Sequence, residues 1–414
     1  WRRKLDVTVI GITGSVGKTS AKEAVAWVLK ENFFLRQSDK NYKKENGLPI
    51  TIIGAQSGGR SFWGWLRVFA SGFWEIIFPV HYPQILILEM GADHPGDIQY
   101  LIDFVKCQIG VVTEVGQSHM EFFGSLENIA KEKGELVRSL PDKGLAILNA
   151  DNPLVLAMAE NLKNAVVTFG FGEAADLRAT DIAFNYSEFG QIQGLSFKLN
   201  FRGTSIPVRL NNVLAKHQIY SALIATAVAE ELEMNLVEIS ARLTDFFPPP
   251  GRLNLMAGIK KTFIIDDTYN ASPDSVLAAL NVLQEIKAIR KIAVLGDMLE
   301  LGMETEKSHR QIGRQIAEIK ADLVFFLGKR MRFAQEELKK HNFNEVSSFY
   351  FENHADLGRK LQAEMRAGDL VLIKGSQAMR MEKIVEEVMA EPLAAEKLLC
   401  RQNPEWKNKE FKLV

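Results

Sequence analysis

Apolar runs of four or five residues recur along this chain, and most break off in Gly, Asp, Glu or Asn. The first, Val7-Thr8-Val9-Ile10, leads into a glycine-rich turn and then a helical pattern from Ala21 to Leu29. Phe33-Phe34-Leu35-Arg36 reads as a second strand, and Asn41 to Pro49 as a polar loop punctuated by Gly47 and Pro49. Ile85-Leu86-Ile87-Leu88 is apolar without alternation, as in a parallel strand buried on both faces, and it ends in Glu89. Ile109 to Thr113 opens onto Glu114-Val115-Gly116-Gln117-Ser118-His119, and Leu145-Ala146-Ile147-Leu148 opens onto Asn149. A helix carrying Lys131 and Lys133 is predicted between them, from about Ser125 to Leu140. Open α/β sheets bind ligands at the carboxyl ends of their strands. Four strands therefore deliver Lys18 with Thr19, Glu89, His119 and Asn149 to one edge.

The pattern changes in three places. Within residues 55–83, Phe62, Trp65, Leu66, Phe69, Phe73, Ile76 and Ile77 fall at helical spacing, with Arg67, Ser71 and Glu75 on the opposite face. Arg67 and Glu75 make this a poor membrane span. Trp63, Trp65 and Trp74 suit a helix lying on a bilayer, and amphipathicity equally suits packing on the protein itself or on a partner. Residues 165–212 switch to short alternating runs with glycine turns, read as an antiparallel β insertion, followed by an alanine-rich helix from about His217 to Glu231. Phe247-Pro248-Pro249-Pro250-Gly251-Arg252 is a stiff linker. Beyond it, strands at Phe263–Asp266, Ile292–Leu295, Leu323–Leu327 and Leu370–Ile373 alternate with helical patterns, which is a second doubly wound domain. From about Glu391 the tail has no evident place in that sheet.

Composition narrows the class. The 414 residues are 47% hydrophobic, enough for two or three domains with real cores. A net charge of -1 gives no global electrostatic case for nucleic acid. Cys107 and Cys400 are too few and too far apart for a disulfide framework or a zinc site, which fits a reducing cytosol. No secretory signal is visible in residues 1–4 ahead of the first strand. The chain opens on Trp1 rather than methionine, the expectation for a trimmed or processed form.

The chemistry begins at Gly11-Ile12-Thr13-Gly14-Ser15-Val16-Gly17-Lys18-Thr19-Ser20. A glycine-rich turn between strand and helix directs backbone N–H groups at a phosphate, the helix N-terminus adds partial positive charge, and Lys18 reaches the outer phosphates. Thr19 supplies a hydroxyl for magnesium. Ile12 stands where the plain phosphate-loop pattern has its first glycine. The turn predicts nucleoside triphosphate binding through Gly14, Ser15, Val16, Gly17, Lys18, Thr19 and Ser20.

These segments resemble the Mur ligases, the ATP-dependent amide ligases that build the peptide of peptidoglycan. The carrying residues are Gly11–Ser20, Glu89-Met90-Gly91-Ala92, His119, Lys133-Gly134-Glu135, Leu148 to Asp151, Pro250-Gly251-Arg252, and Lys374-Gly375-Ser376 with Met379-Arg380-Met381. Asp267-Thr268-Tyr269-Asn270-Ala271-Ser272-Pro273 and Gly296-Asp297-Met298-Leu299-Glu300-Leu301-Gly302 point to the D-alanyl-D-alanine-adding branch. The resemblance implies an α/β fold in two parts. Residues 1–250 would form a P-loop ATPase-like domain with a parallel sheet, carrying the insertions at about 55–83 and 165–212. Residues 251–390 would form a Rossmann-like domain, and 391–414 a tail. It also implies a cytoplasmic monomer that joins D-Ala-D-Ala to a UDP-N-acetylmuramoyl tripeptide through an acyl phosphate, with ATP and two magnesium ions. Lys18 would bind the phosphates. Thr19 and Glu89 would hold one ion, and His119 with a carbamylated Lys133 the other. Asn149, Arg252 and Asp267 resemble positions near the nucleotide.

Some positions depart from the family. Lys43-Lys44-Glu45-Asn46-Gly47 stands for Asn-Asn-Glu-Ile-Gly, Ser221 for an asparagine near adenine, and Gln377 for an arginine. The family's N-terminal UDP-sugar-binding domain would precede residue 1. A Mur-like ligase with a lipid-linked or other non-UDP acceptor is therefore an alternative, and a non-catalytic ATP-binding scaffold is another.

Overall fold

The unalternating apolar runs become interior strands of a parallel sheet. The computed structural model describes residues 7–38, 47–55, 61–77, 82–116, 120–188, 190–341 and 343–407. In chain order the strands of the first sheet are β1 (Thr8–Thr13), β2 (Leu35–Gln37), β3 (Ile85–Glu89), β4 (Ile109–Val112), β5 (Leu145–Asn149), β6 (Ala165–Gly170), β7 (Leu177–Tyr186), β8 (Ile192–Phe201) and β9 (Thr204–Leu210). They lie side by side as β2-β3-β1-β4-β5-β6-β7-β8-β9. Strands β1 to β6 pair in parallel, with Ile12 opposite both Glu89 and Val111. Because β3 and β4 flank β1 on opposite sides, the turn after β1 sits at the switch point where such sheets hold ligands.

Two expectations change here. The β region from about 165 is not a separate antiparallel insertion at its start, because β6 continues the parallel sheet beside β5. Only its later part turns back in the expected way. β8 and β9 are neighbours joined by Arg202-Gly203, both at positive φ (47° and 78°), the backbone of a tight hairpin turn that only antiparallel strands can share. Gly47-Leu48-Pro49 is not loop but the start of helix Gly47–Ile53, with Leu48, Ile50 and Ile52 buried.

Helix Lys18–Leu29 buries Ala21, Ala24, Val25, Val28 and Leu29. The small residues allow close packing on the alanine-rich helix Ile219–Glu231, itself buried almost all round. Helices Asp97–Phe104 and Leu126–Arg138 contribute Ile98, Leu101, Ile129 and Leu136 to a core with Leu86, Leu88, Val112 and Leu148 of the sheet.

The aromatic helix forms as Phe62–Ile77, but the face that packs is not the aromatic one. Val68 and Gly72, four apart, turn inward, and Gly72 lies against Ile53. Phe62 (76% exposed), Trp63 (75%), Phe69, Phe73 and Trp74 face outward. The side chains of Glu75, Ile76 and Ile77 are outside those described. Among the described residues no helix is long and apolar enough to cross a membrane.

The second sheet comprises β10 (Asn254–Gly258), β11 (Thr262–Asp267), β12 (Arg290–Gly296), β13 (Leu323–Leu327), β14 (Ser348–Phe351) and β15 (Asp369–Lys374), in the order β10-β11-β15-β12-β13-β14. All pairs are parallel except the edge pair β10–β11. Its alternation is clear in the packing. Ile265, Ala293, Leu295, Val324, Phe326, Leu370 and Leu372 fill one core, while Ile264, Ile292, Val294, Phe325, Val371 and Ile373 fill the other. A sheet apolar on both faces must be covered by helices on both, which makes this a doubly wound fold.

The chain divides into two compact units between Phe246 and Phe247, within the proline linker's approach. Phe184–Leu195 and Asn211–Ala215 group with the second unit rather than the first. The tail also belongs to the second unit, where Ala395 and Leu399 join the core that contains Ile264 and Val371.

Candidate active site

The turn after β1 is held open by its neighbours. Thr13 donates from Oγ1 to the Met90 carbonyl (2.8 Å), tying the end of β1 to the exit of β3. On the other side Thr113, at the exit of β4, donates from Oγ1 to the Val16 carbonyl at 2.5 Å. Ser15 N–H donates to Glu114 O (2.7 Å), and the Ser15 hydroxyl bonds both backbone groups of Gly116. Gly14 has φ +146°, and a Cβ there would lie 2.0 Å from Thr113 Oγ1, so no side chain fits. Gly17 (φ 86°) then turns the chain into helix Lys18–Leu29, which has neither a capping side chain nor an acid in its first turn. The first-turn amides and the positive end of the helix dipole are thus left for an anion. Lys18 Nζ lies over the turn, 2.5 Å from Gly14 O and 3.2 Å from Ser15 O.

Thr19 Oγ1 lies 3.1 and 3.0 Å from the two carboxylate oxygens of Glu89. Glu89 is fully buried at the end of β3. Its N–H donates to Ser38 Oγ (3.0 Å), and Ser38 O in turn accepts from the buried Lys22 ammonium at 2.5 Å. A hydroxyl and a buried carboxylate at the mouth of a phosphate turn form an oxygen donor pair that suits a hard cation such as magnesium.

Lys133 sits on helix Leu126–Arg138, whose N-cap is Ser125. It is 3% exposed, and burial pulls its pKa down to about 8 against the opposing charges of Glu132 and Asp93. Glu132 accepts from Gly96 N–H (2.9 Å) and Ile98 N–H (2.7 Å), so it pins the loop that follows β3. Asp97 accepts from Asp93 and His94 N–H in the same loop. Lys133 feels the charge of Asp93, which lies in that same loop. His119 lies outside the described residues. Among those described, no three His, Cys, Asp or Glu side chains converge as a metal site. A lysine can enter an oxygen ligand set only once its amine has become a carbamate.

Asn149 is buried and its polar atoms are occupied locally. Nδ2 donates to Thr113 O (2.8 Å) and Oδ1 accepts from Asp151 N–H (2.9 Å). It therefore braces the β4 exit that holds the phosphate turn. Asp151 accepts from Phe171 N–H, Gly172 N–H and the Tyr220 hydroxyl. The Tyr220 ring lies 4.6 Å from that of Phe171. Burial first, and Asp151 second, push the Tyr220 phenol well above its usual range. Ser221, next along, is buried in the helix.

In the second unit, Asp267 at the end of β11 accepts from Lys374 Nζ at 2.5 Å, and Lys374 also donates to Asn270 O (2.9 Å). Lys374 is 2% exposed, so removing either charge would leave the other buried without its partner. The Arg252 guanidinium stacks 4.2 Å above the Tyr269 ring. Asp297, at the end of β12, accepts from Met331 N–H, and Ser376 N–H donates to the Asp297 carbonyl. Sequence reading did not single out Thr113, Ser38 or Glu132. Each acts through backbone groups tens of residues away, which no local spacing reveals.

Comparison with known proteins places the chain among relatives. Residues 78–229 match the Mur ligase middle domain, and 251–377 the Mur ligase glutamate ligase domain. The chain is 30% identical over 400 residues to the UDP-N-acetylmuramoyl-tripeptide--D-alanyl-D-alanine ligase of Bacillus subtilis (strain 168), covering 95% of this chain and 78% of that one. The ligase of the same name from Escherichia coli (strain K12) is 29% identical, with 93% and 77% covered. A crystal structure of MurF from Acinetobacter baumannii superposes with a TM-score of 0.77 at 26% identity, covering 93% of this chain and 77% of that one. With a relative 30% identical across 95% of this chain and both Mur ligase domain models matched in order, this chain belongs to the Mur ligase family.

Proposed function

We propose that the protein is an ATP-dependent amide ligase that adds D-Ala-D-Ala to a UDP-N-acetylmuramoyl tripeptide. The observation that carries the ATP-dependent chemistry is the Thr19–Glu89 pair, 3.0 Å apart at the mouth of the Gly14–Ser20 turn. The substrates come from the ligases to which the chain is similar. The tripeptide carboxylate attacks the γ-phosphorus of ATP, the bond to ADP breaks, and an acyl phosphate forms. The D-Ala-D-Ala amine then attacks the acyl carbon, phosphate leaves, and the amine nitrogen gives up its proton. Little covalent help is needed, so the protein's work is positioning and charge neutralisation. The first-turn amides and Lys18 oppose the negative charge on the phosphoryl oxygens. Thr19 and Glu89 would hold one magnesium ion, and His119 with carbamylated Lys133 a second. Such ions neutralise charge on phosphate and carboxylate oxygens. Phosphate release that requires both acceptor and D-Ala-D-Ala tests the assignment.

A second feature favours contact with a bilayer. The outward Phe62, Trp63, Phe69, Phe73 and Trp74 of helix Phe62–Ile77 form a stripe rich in the residues that settle at lipid interfaces. The protein is expected to co-sediment with vesicles of mixed zwitterionic and anionic lipid. The Trp63→Ser/Trp74→Ser variant should stay in the supernatant. Equal sedimentation of the two proteins would remove the membrane reading.

A further inference from the structure

The tail beyond the last family-matched residue, 377, turns out to grip the Asp267–Asn270 loop. Arg401 lies in that tail with its side chain 4% exposed. Its Nη1 donates to the Tyr269 carbonyl (2.9 Å) and its Nη2 to the carbonyl of Thr268. Nη2 also donates to Glu382 Oε2 (2.8 Å). The other Glu382 oxygen accepts from Arg380 Nε at 2.5 Å, and Arg380 Nη1 donates to Trp406 O (2.7 Å). Both guanidinium groups lie over the Trp406 ring, at 5.4 Å for Arg380 and 5.9 Å for Arg401. Next to Arg401, Cys400 Sγ is 3.5 Å from Thr268 Oγ1. It also lies against Gly251, where an added Cβ would come within 3.2 Å of the sulfur and 2.8 Å of Tyr269 N. Tyr269 N–H donates to Gly251 O.

Two consecutive carbonyls directed at one guanidinium fix the orientation of two peptide planes, because the planar fork presents its donors at set angles. Those planes carry Tyr269, on whose ring Arg252 stacks, and lie between Asp267 and Asn270, the two partners of Lys374. We propose that Arg401 is a positioning residue that sets the Thr268–Tyr269 backbone and, through the Tyr269 ring, the Arg252 guanidinium for nucleotide binding. This rests on reading Arg252 as a nucleotide contact. Buried Glu382 holds Arg401 in place and balances two cations with one carboxylate and the carbonyl oxygens around them.

The test uses the full chain with Arg401→Met, Arg401→Lys and Arg252→Ala, alone and combined. In Arg401→Met, amide exchange in the segment spanning 266–271 is expected to speed up by about tenfold, with KM for ATP rising about tenfold and kcat within about twofold. Such numbers follow from losing two charge-assisted hydrogen bonds while the reacting groups stay in place. Arg401→Lys keeps a cation on Glu382 without the fork, so it folds even where Arg401→Met does not, and should recover part of the KM. Adding Arg401→Met to Arg252→Ala should raise KM no further, because coupled residues are not additive. Unchanged exchange in 266–271 in both Arg401 variants would overturn the positioning role. Faster exchange with additive effects on KM would overturn the route through Arg252. If Arg252→Ala alone leaves KM for ATP unchanged, the reading of Arg252 fails, while the exchange result still decides whether Arg401 holds the loop.

Discussion

Replacing Lys18 with alanine is expected to lower ATP-dependent phosphate release by about 10²- to 10³-fold in kcat, the scale of losing one aligned electrostatic stabiliser of a developing charge. The ammonium lies over the carbonyls of Gly14 and Ser15 and is only half-buried, so its removal empties no core. The turn itself is held by other bonds, from Thr113 to Val16 and between Ser15 and Gly116, which Lys18→Ala leaves intact. The melting temperature should therefore move by no more than a few degrees. Steady-state phosphate release and a thermal melt, run on the same preparation, check both parts. A fall in melting temperature matching the loss of rate would mean that Lys18 serves the fold rather than the phosphate.

Lys133→Ala should cost about 100-fold or more in rate, since it removes a side chain proposed to reach the metal in carbamylated form. Carbamate forms when the neutral amine adds to CO2 and releases a proton. At an ordinary lysine pKa, fewer than about one amine in a thousand is neutral at pH 7. With the Lys133 pKa lowered to about 8 by burial, about one in ten is neutral at pH 7 and half at pH 8. Raising the pH through about 8 should therefore increase carbamate occupancy, and lowering it should reverse the gain. With 13C-labelled bicarbonate, the wild-type protein should show a carbamate carbon resonance that Lys133→Ala lacks. Identical spectra from the two proteins would exclude the modification at this position.

Much of the candidate phosphate site was readable along the chain because its parts lie at strand ends. β3, β4 and β5 are buried along their whole length, so each appears as an apolar run with a polar residue where it stops, and β1 differs only in the half-buried Thr8. Thr19 and Glu89 were legible on those grounds and are found in contact. Asn149 was legible as a position, although its side chain is engaged in bracing the Thr113 carbonyl. Three features were hidden. β6 resembled the alternating strands that follow, and its parallel pairing with both β5 and β7 leaves no mark on that pattern. On helix Phe62–Ile77 the aromatic spacing fitted a helix on a bilayer as well as a packed one, and it did not show that Val68 and Gly72 turn inward and leave the large rings outside. The tail showed no period because its role is carried by single residues. Arg401 reaches carbonyls more than a hundred residues earlier, and a carbonyl contact leaves no mark on sequence pattern.

Phosphate release measured with ATP, a UDP-N-acetylmuramoyl tripeptide and D-Ala-D-Ala, each omitted in turn, bears most directly on the ligase assignment. The ligase reading predicts full release only when all three are present, with the joined pentapeptide appearing in step with phosphate. Equal release with unrelated dipeptides in place of D-Ala-D-Ala, or release without any peptide product, would contradict it.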